Sequence, residues 1–207
     1  MSETIVLVHG LWMHSAVMSL LGLRLGRQGF SIEGFTYPTV RAGLSANTRL
    51  LHEFVTKLRR KPVHIVGHSL GGVLALHLLQ EFPGDHIGRI VCLGSPLTDS
   101  AAFRNLQHRS WGRKIVGKTI TDAMHGHGLH ALPHDVEVGS IAGRIPFGVG
   151  RVSGKLPGPH DGVVTVAETQ HPGISEQITL PVSHTGLVLS QTVAAQTAHF
   201  LQHGKFQ

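Results

Sequence analysis

The sequence predicts an α/β fold in which a mostly parallel sheet of about six strands carries helices on both faces. Short runs rich in Val and Ile alternate with longer helical patterns along the chain. The short runs lack polar alternation, which is typical of strands buried on both sides beneath crossover helices. Of the 207 residues, 41% are hydrophobic, and this length suits one domain over residues 1–207 with its own core.

The elements follow one another in a β-α-β-α-β-α order at the start of the chain. The strand candidates are Thr4–Val8, Ser31–Tyr37, Val63–Val66, Arg89–Leu93, Val136–Ala142 and Gln177–Leu180. The helix candidates are Ala16–Gln28, Ser45–Arg60, Leu70–Phe82 and Gly186–Gln202. In such an order, the loops at the carboxyl ends of the strands meet at one edge of the sheet, where open α/β sheets hold their ligands.

Two segments, Pro96–Asp135 and Gly143–Gly162, are longer than compact α/β connections. Both are expected to border the site, and a small flap or cover is predicted around residues 97–135. Within Ala101–Met124, apolar side chains interleave with Arg and Lys. This pattern indicates either an amphipathic, cationic flap or a surface helix that packs one face on the core.

Composition excludes several classes of protein. The 18 Lys and Arg residues exceed the 12 Asp and Glu residues by six, but only residues 59–61 form a basic run, so no nucleic-acid binding is expected. The single Cys92 lies in an apolar run, which excludes a disulfide framework and predicts a buried thiol. Neither an apolar stretch of about eighteen residues nor a cationic leader occurs, so we expect a cytoplasmic protein without stable membrane insertion. The oligomeric state stays open.

The clearest chemical motif is Gly67-His68-Ser69-Leu70-Gly71, which lies between a strand candidate and a helix candidate. This is G-x-S-x-G in a strand-turn-helix context. A serine at such a tight turn exposes its hydroxyl above the sheet, and the flanking glycines are small because the strained backbone leaves no room for side chains. Ser69 is therefore predicted to be a nucleophile, with the positive end of the following helix beneath it.

A serine nucleophile also needs donors for the developing oxyanion and a base. The first strand ends at His9-Gly10, where the turn would point the Leu11 amide beside Ser69; the Leu70 amide would be the second donor. His9 itself is assigned to packing and hydrogen bonding within the loop. The predicted base is His184, which follows the last strand and precedes the last helix, and its nearest rival is His171.

The acid that orients the base is expected between nucleophile and base in chain order. Asp161 is the predicted acid, because it lies in the turn-forming segment His160–Val164 before His184. Asp99, just after the fourth strand candidate, is the alternative. Glu168 is expected to be a solvated helix residue.

Ser69, Asp161 and His184, with the His9-Gly10 turn and the β/α alternation, resemble the α/β-hydrolase superfamily over nearly the whole chain. The short length, the start on a core strand and the Asp161–Val164 segment are similar to its small bacterial lipase and esterase branch. The resemblance implies a minimal α/β-hydrolase fold that lacks the usual first antiparallel hairpin and a large cap. It also implies hydrolysis of carboxylic esters through an acyl-enzyme, with no metal and no organic cofactor.

The expected substrate is a small-molecule ester with a short or medium acyl chain, and lipid esters are among the candidates. Two alternatives stay open: a thioesterase or acyltransferase with the same triad, and a non-catalytic scaffold that binds a ligand or partner. The histidines at 125, 127, 130 and 134 have spacings that permit Zn or Ni binding, but nearby glycines and Pro133 make a regular helix unfavourable there. His125, His127, His130 and His134 are therefore interpreted as part of a polar flap loop.

Overall fold

A computed structural model describes residues 2–59, 62–83, 87–107, 117–125, 129, 132, 135–147 and 155–207. These residues form one sheet whose strands are β1 Thr4–Val8, β2 Ser31–Phe35, β3 Val63–His68, β4 Ile87–Leu93, β5 Val138–Gly143 and β6 Glu176–Leu180. The strand order is β2-β1-β3-β4-β5-β6, and every neighbouring pair is parallel. The six predicted strands are confirmed, with ends that differ by a few residues.

Seven α-helices complete the described part of the chain. They are α1 Ser19–Arg27, α2 Leu44–Lys57, α3 Leu70–Glu81, α4 Ala101–Gln107, α5 Lys118–His125, α6 Gly186–Leu189 and α7 Gln191–His203. Within the described ranges, none of these helices combines the length and the apolar character needed to cross a membrane.

The core has two halves, one on each face of the sheet. Successive side chains of a strand point to opposite faces. In β1, Val6 and Val8 pack with α2 and α3, whereas Ile5 and Leu7 pack with α1 and α7. Because both faces are covered by helices, the inner strands have no polar side, which is the reason for their missing polar alternation.

The final helical pattern is interrupted, although the sequence predicted one helix over Gly186–Gln202. Ser190 has φ −79° and ψ 135°, an extended conformation that ends α6. The Ser190 side-chain oxygen accepts the N–H of Val193 at 3.3 Å and so caps α7. The apolar pattern continues across the break, so it did not reveal two helices.

Glu168 corrects a second expectation, because it is buried rather than solvated. The residue lies in a short 3₁₀ helix, Ala167–Thr169, and is 7% exposed. One carboxylate oxygen accepts the N–H of Ala101 at the start of α4, and the other accepts the N–H of Thr165 at 2.8 Å. The partners of Glu168 are thus backbone groups, one of them far away in the chain, and no sequence pattern marks them.

The described part of the predicted cover packs on the body of the protein. The first turn of α4 is buried. In α5, Asp122 accepts the N–H of Leu44 at 3.1 Å, and the Thr119 hydroxyl accepts a hydrogen bond from Asn47 at 2.8 Å, both near the start of α2. Residues 108–116 lie outside the described residues, as do His127, His130 and His134. The flap and the interpretation of the histidine cluster therefore stay predictions.

The strand order places the topological switch point of the sheet between β1 and β3. The helix after β1, α1, packs on one face of the sheet, and the helix after β3, α3, packs on the other. Connections that leave neighbouring strands toward opposite faces open a crevice at the carboxyl edge. The two chain segments meet there, because a Cβ atom added at Gly10 would lie 3.0 Å from the Cβ atom of Ser69.

We expect Glu168→Ala to lower the free energy of unfolding by about 2–4 kcal/mol, because two buried N–H groups lose their acceptors. Urea denaturation followed by circular dichroism measures this change. Glu53→Ala, at an exposed position of α2, is the control and should change stability by less than about 0.5 kcal/mol. Equal stability of the two variants would contradict the capping role of Glu168.

Candidate active site

Ser69 occupies the sharp turn between β3 and α3. Its backbone has φ 53° and ψ −121°, a combination that a residue with a side chain rarely adopts. The Ser69 N–H donates to the carbonyl of Leu93 at 2.9 Å, and the Ser69 carbonyl accepts the N–H of Gly72 at 3.1 Å. These hydrogen bonds hold the turn at the carboxyl edge of the sheet, with the serine half-buried.

The glycines that flank Ser69 are required by lack of space. A Cβ atom at Gly67 would lie 2.4 Å from the nitrogen of Gly72, and one at Gly71 would lie 2.2 Å from the carbonyl oxygen of Val8. Both obstacles are backbone atoms, so side-chain motion cannot relieve the contact. The steric reason inferred from the motif is confirmed. The structure also shows that the turn packs directly against the end of β1.

Asp161 and His184 form a buried hydrogen-bonded pair. The His184 Nδ1 atom lies 2.7 Å from the Asp161 Oδ2 atom. Because a carboxylate oxygen only accepts, Nδ1 carries a proton, and in the neutral imidazole this leaves the lone pair on Nε2. The other Asp161 oxygen accepts the N–H groups of Val163 and Val164, each at 2.8 Å. The main chains of the two residues are also hydrogen-bonded: the His184 N–H donates to the Asp161 carbonyl at 2.9 Å.

The structure thus brings two of the three predicted triad residues into direct contact and places the third nearby. The ring of His184 lies against His68, the residue before Ser69, with ring centroids 4.7 Å apart. No hydrogen bond joins the Ser69 hydroxyl to His184 within the described part of the chain. A Cβ atom at Gly94, after β4, would lie 2.9 Å from the Asp161 Oδ2 atom, so the pair sits over the ends of the central strands.

His68 is a site residue that the sequence analysis treated only as a spacer in the motif. Its imidazole is fully buried, and its Nε2 atom lies 3.0 Å from the carbonyl oxygen of His184. Burial, together with the nearby His184, lowers the pKa of His68 to about 3, so the ring is neutral near pH 7. The signal available in the sequence was its place at the end of a strand, beside the predicted nucleophile.

The loop after β1 is held by two residues that sequence reasoning missed. The Tyr37 hydroxyl donates to the carbonyl of His9 at 2.9 Å, and the Thr39 hydroxyl accepts the N–H of Trp12 at 3.3 Å. Trp12 has a positive φ of 57°. Burial lowers the pKa of His9, which is fully buried, as expected of a packing residue. Tyr37 and Thr39 follow β2, which pairs with β1. The sequence does not show that these two strands are neighbours, so it could not indicate that Tyr37 and Thr39 hold the loop after β1.

The alternative acid and the rival base lie elsewhere. Asp99 forms an ion pair with Arg104, and the Asp99 side chain is 54% exposed. His171 lies in the segment before β6, and its Nε2 atom is 3.4 Å from the carbonyl oxygen of Leu129. Within the described ranges, neither side chain shares a hydrogen bond, an ion pair or a ring contact with Asp161 or His184.

Other features of the described residues offer no comparable chemistry. A cavity of about 290 Å³ lies between α1 and α7, with Arg24, Arg27 and Gln191 in its lining, and contains none of the predicted site residues. No group of three or more His, Cys, Asp or Glu side chains among the described residues is arranged around a metal position. Burial raises the pKa of Cys92 to about 12, so this buried cysteine remains a thiol.

The fold and the edge where these residues meet define the class of protein. Residues 5–172 match the family described as the Alpha/beta hydrolase family, so the chain belongs to that family. A comparison with curated proteins gives no significant match.

Solved structures have the same fold. The mature lipase BlEst2 of Bacillus licheniformis has a TM-score of 0.78 at 18% identity, over 97% of this chain and 91% of the lipase. The esterase EaEST of Exiguobacterium antarcticum has 0.66 at 13% identity, over 97% and 92% of the two chains. The pyrethroid hydrolase PytH has 0.65 at 16% identity, over 99% of both chains. These likenesses confirm the predicted α/β-hydrolase fold.

We expect Gly71→Ala to lower the free energy of unfolding by about 1–3 kcal/mol, because the methyl group would meet the backbone of β1. Gly26→Ala in α1 is the matched control: the nearest atom would lie 3.8 Å away, so this change meets no obstacle. Helix propensity then predicts that Gly26→Ala raises stability by about 0.5–1 kcal/mol. Thermal and urea unfolding of both variants test the difference, and a Gly71→Ala protein as stable as wild type would contradict the steric account.

Proposed function

We propose that this α/β hydrolase cleaves carboxylic esters with short or medium acyl chains through a Ser69-His184-Asp161 triad. The observation that carries the proposal is the buried 2.7 Å hydrogen bond between His184 Nδ1 and Asp161 Oδ2, at the same sheet edge as the strained turn of Ser69. An imidazole held by a carboxylate on one nitrogen keeps the other nitrogen free and fixed in direction, which is what a general base requires.

In the first step, the His184 Nε2 atom takes the proton of the Ser69 hydroxyl while the Ser69 oxygen attacks the ester carbonyl carbon. Catalytic hydrogen bonds often shorten only when substrate binds. We therefore place the formation of the Ser69–His184 hydrogen bond in the enzyme–substrate complex. Asp161 keeps its negative charge and stabilises the imidazolium that forms.

The oxyanion is assigned to the backbone N–H groups of Leu11 and Leu70. Within the described residues, neither N–H donates a hydrogen bond to a protein acceptor. Leu70 is the first residue of α3, where helix N–H groups have no partner within the helix. The approach of Gly10 to Ser69 brings the Leu11 segment beside the nucleophile, and Tyr37 supports this loop through His9. Donors fixed in this way are worth more than mobile ones.

The tetrahedral intermediate then collapses to an acyl-enzyme. The bond between the carbonyl carbon and the alcohol oxygen breaks, and His184 gives its proton to the leaving alcohol. Water repeats the sequence: His184 removes its proton, the oxygen attacks the acyl carbon, and the Ser69 oxygen leaves with the proton returned. The products are the free acid and the alcohol, and the enzyme returns to its starting state.

The same residues would support cleavage of a thioester or transfer of the acyl group to another acceptor. Product analysis distinguishes these reactions from ester hydrolysis. Wild-type protein is incubated with p-nitrophenyl acetate, p-nitrophenyl octanoate and a matched acyl thioester, with and without an added alcohol. Ester hydrolysis predicts the free acid as the main product, whereas acyl transfer predicts an ester of the added alcohol.

We expect a fluorophosphonate probe to label wild-type protein once, at Ser69, because only an activated serine reacts rapidly. Labelling should disappear in Ser69→Ala and fall sharply in His184→Ala, and Ser69→Ala should lower kcat/KM for p-nitrophenyl esters by at least about 10⁴-fold. Intact mass and peptide mapping give the readout. Wild-type turnover by a folded Ser69→Ala protein would refute the nucleophile.

The two candidate acids, Asp161 and Asp99, are compared by replacing each with the isosteric Asn. Asp161→Asn should lower kcat by about 10⁴-fold, because the amide no longer stabilises the imidazolium or holds the same tautomer. Asp99→Asn should stay within about twofold, since its exposed carboxylate pairs with Arg104 and accepts the N–H of Ser100, both outside the proposed triad. The measurement is kcat for one p-nitrophenyl ester under saturating conditions. The reverse pattern would transfer the acid to Asp99.

A further inference from the structure

We infer that His68 is a positioning residue, whose Nε2–H group holds the carbonyl of His184 and thereby aligns the base with the nucleophile. The inference deepens the proposed function and rests on it for its catalytic meaning. The sequence motif assigns no role to this position, because any residue satisfies the second letter of G-x-S-x-G.

The direction of the hydrogen bond follows from the acceptor. The His68 Nε2 atom lies 3.0 Å from the carbonyl oxygen of His184, and a carbonyl oxygen can only accept. The proton is therefore on Nε2 and the lone pair on Nδ1. The Nδ1 atom is buried with no hydrogen-bond partner among the described residues. An apolar side chain at position 68 would not leave a nitrogen unsatisfied in this way. The advantage of an imidazole over an apolar side chain is therefore its Nε2–H donor.

Among the described residues, three hydrogen bonds hold His184, and they come from two different parts of the fold. Its N–H donates to the Asp161 carbonyl at 2.9 Å, and its Nδ1–H donates to the Asp161 carboxylate at 2.7 Å. Both of these partners belong to the acid. The third, from His68, links the base to β3, the strand that leads into Ser69. Loss of the third bond would leave the acid–base pair intact but loosen its alignment with the nucleophile.

The position of the His68 ring supports this link. One side of the ring packs against His184, with centroids 4.7 Å apart and planes tilted by 46°. On another side lies Gly10, where an added Cβ atom would be 3.3 Å from the His68 Nδ1 atom. The ring therefore fills the space between the base and the loop that carries the proposed oxyanion donor. A useful variant must keep this volume while it changes the donor.

The charge state of His68 suits a donor that does not compete with the base. Burial is the main cause of its low pKa, and the positive charge of a protonated His184 or His9 acts in the same direction. The hydrogen bond to the His184 carbonyl and the charge of Asp161 oppose this lowering of the pKa. The folded-state pKa is depressed, so the ring is neutral at all pH values well above about 3. Asp161 thus interacts with a single imidazolium, that of His184, during the reaction.

The experiment compares His68→Gln with His68→Met. The two side chains have similar length and volume, but only Gln has an N–H donor near the position of the imidazole Nε2 atom. His77→Met, at a buried histidine within α3, controls for replacing a buried imidazole with a thioether. For each protein, thermal unfolding, kcat and KM for a p-nitrophenyl ester, and the fluorophosphonate labelling rate are measured.

We expect His68→Gln to keep kcat within about threefold of wild type and His68→Met to lower it by about 10–100-fold, because small displacements of a catalytic group cost this much. KM should change by less than about twofold, since the residue does not touch substrate. The labelling rate should fall in parallel with kcat, and His77→Met should behave like wild type.

Three results would overturn the inference. Equal activity of His68→Met and wild type would show that the donor is not needed. Equal losses in His68→Gln and His68→Met would assign the effect to volume or stability, especially if both melt earlier. A wild-type protein inert to both esters and fluorophosphonate would remove the proposed function and this inference together. If wild type is labelled but hydrolyses no ester, the proposed substrate is wrong, and the labelling rates of the two variants still decide the role of His68.

Discussion

The strained turn at Ser69 is the constraint around which the rest of the site is arranged. A residue with positive φ and a side chain costs on the order of 1–3 kcal/mol, so the surrounding structure must hold it in place. Here β3 enters the turn fully buried, and α3 leaves it with every residue from Leu70 to Leu79 buried. The turn leaves no room for larger residues, because a Cβ atom added at Gly67 or Gly71 would meet backbone atoms of the first turn of α3 or of the end of β1. Strain and packing together leave the serine hydroxyl at the edge of the sheet.

The segment between β5 and β6 shows how buried carboxylates can be accommodated without a permanent cation. One Asp161 oxygen accepts hydrogen bonds from two backbone N–H groups, and the other accepts the hydrogen bond of His184. Glu168 accepts backbone N–H groups with both oxygens and so joins the segment to the start of α4. Backbone donors satisfy the charge in both cases. The difference is that Asp161 keeps one oxygen for a titratable partner, and only that arrangement suits a catalytic acid–base pair.

The carboxyl edge is also held together by links between loops. Tyr37 and Thr39, after β2, support the loop after β1, while His68, at the end of β3, contacts the loop after β6. The first two links hold the loop that contains Leu11, and the third holds His184, so each supports a part of the proposed machinery from a neighbouring segment. A loop held in this way loses little freedom when a transition state forms, which is the physical basis of preorganisation. The family match and the structural likenesses show the fold. Which substrate such a fold accepts depends on the loops at the carboxyl edge of the sheet.

The sequence by itself determined the six strands, the helices between the first four of them, the parallel sheet and the tight turn at Ser69. These features depend on local patterns: apolar runs, helical periodicity and a glycine spacing imposed by the turn. It also singled out Asp161 and His184 from their places in chain order, although their catalytic roles remain a proposal. Only the tertiary structure decided that Glu168 is buried, that Ser190 divides the last helix pattern, and that His68, Tyr37 and Thr39 support the site. The sequence favoured Asp161 and left Asp99 as the alternative acid, and in the described part of the chain it is Asp161 that is hydrogen-bonded to His184. The reason is physical: burial and hydrogen bonds between distant segments depend on which loops meet at the sheet edge. Local residue patterns do not specify which loops these are.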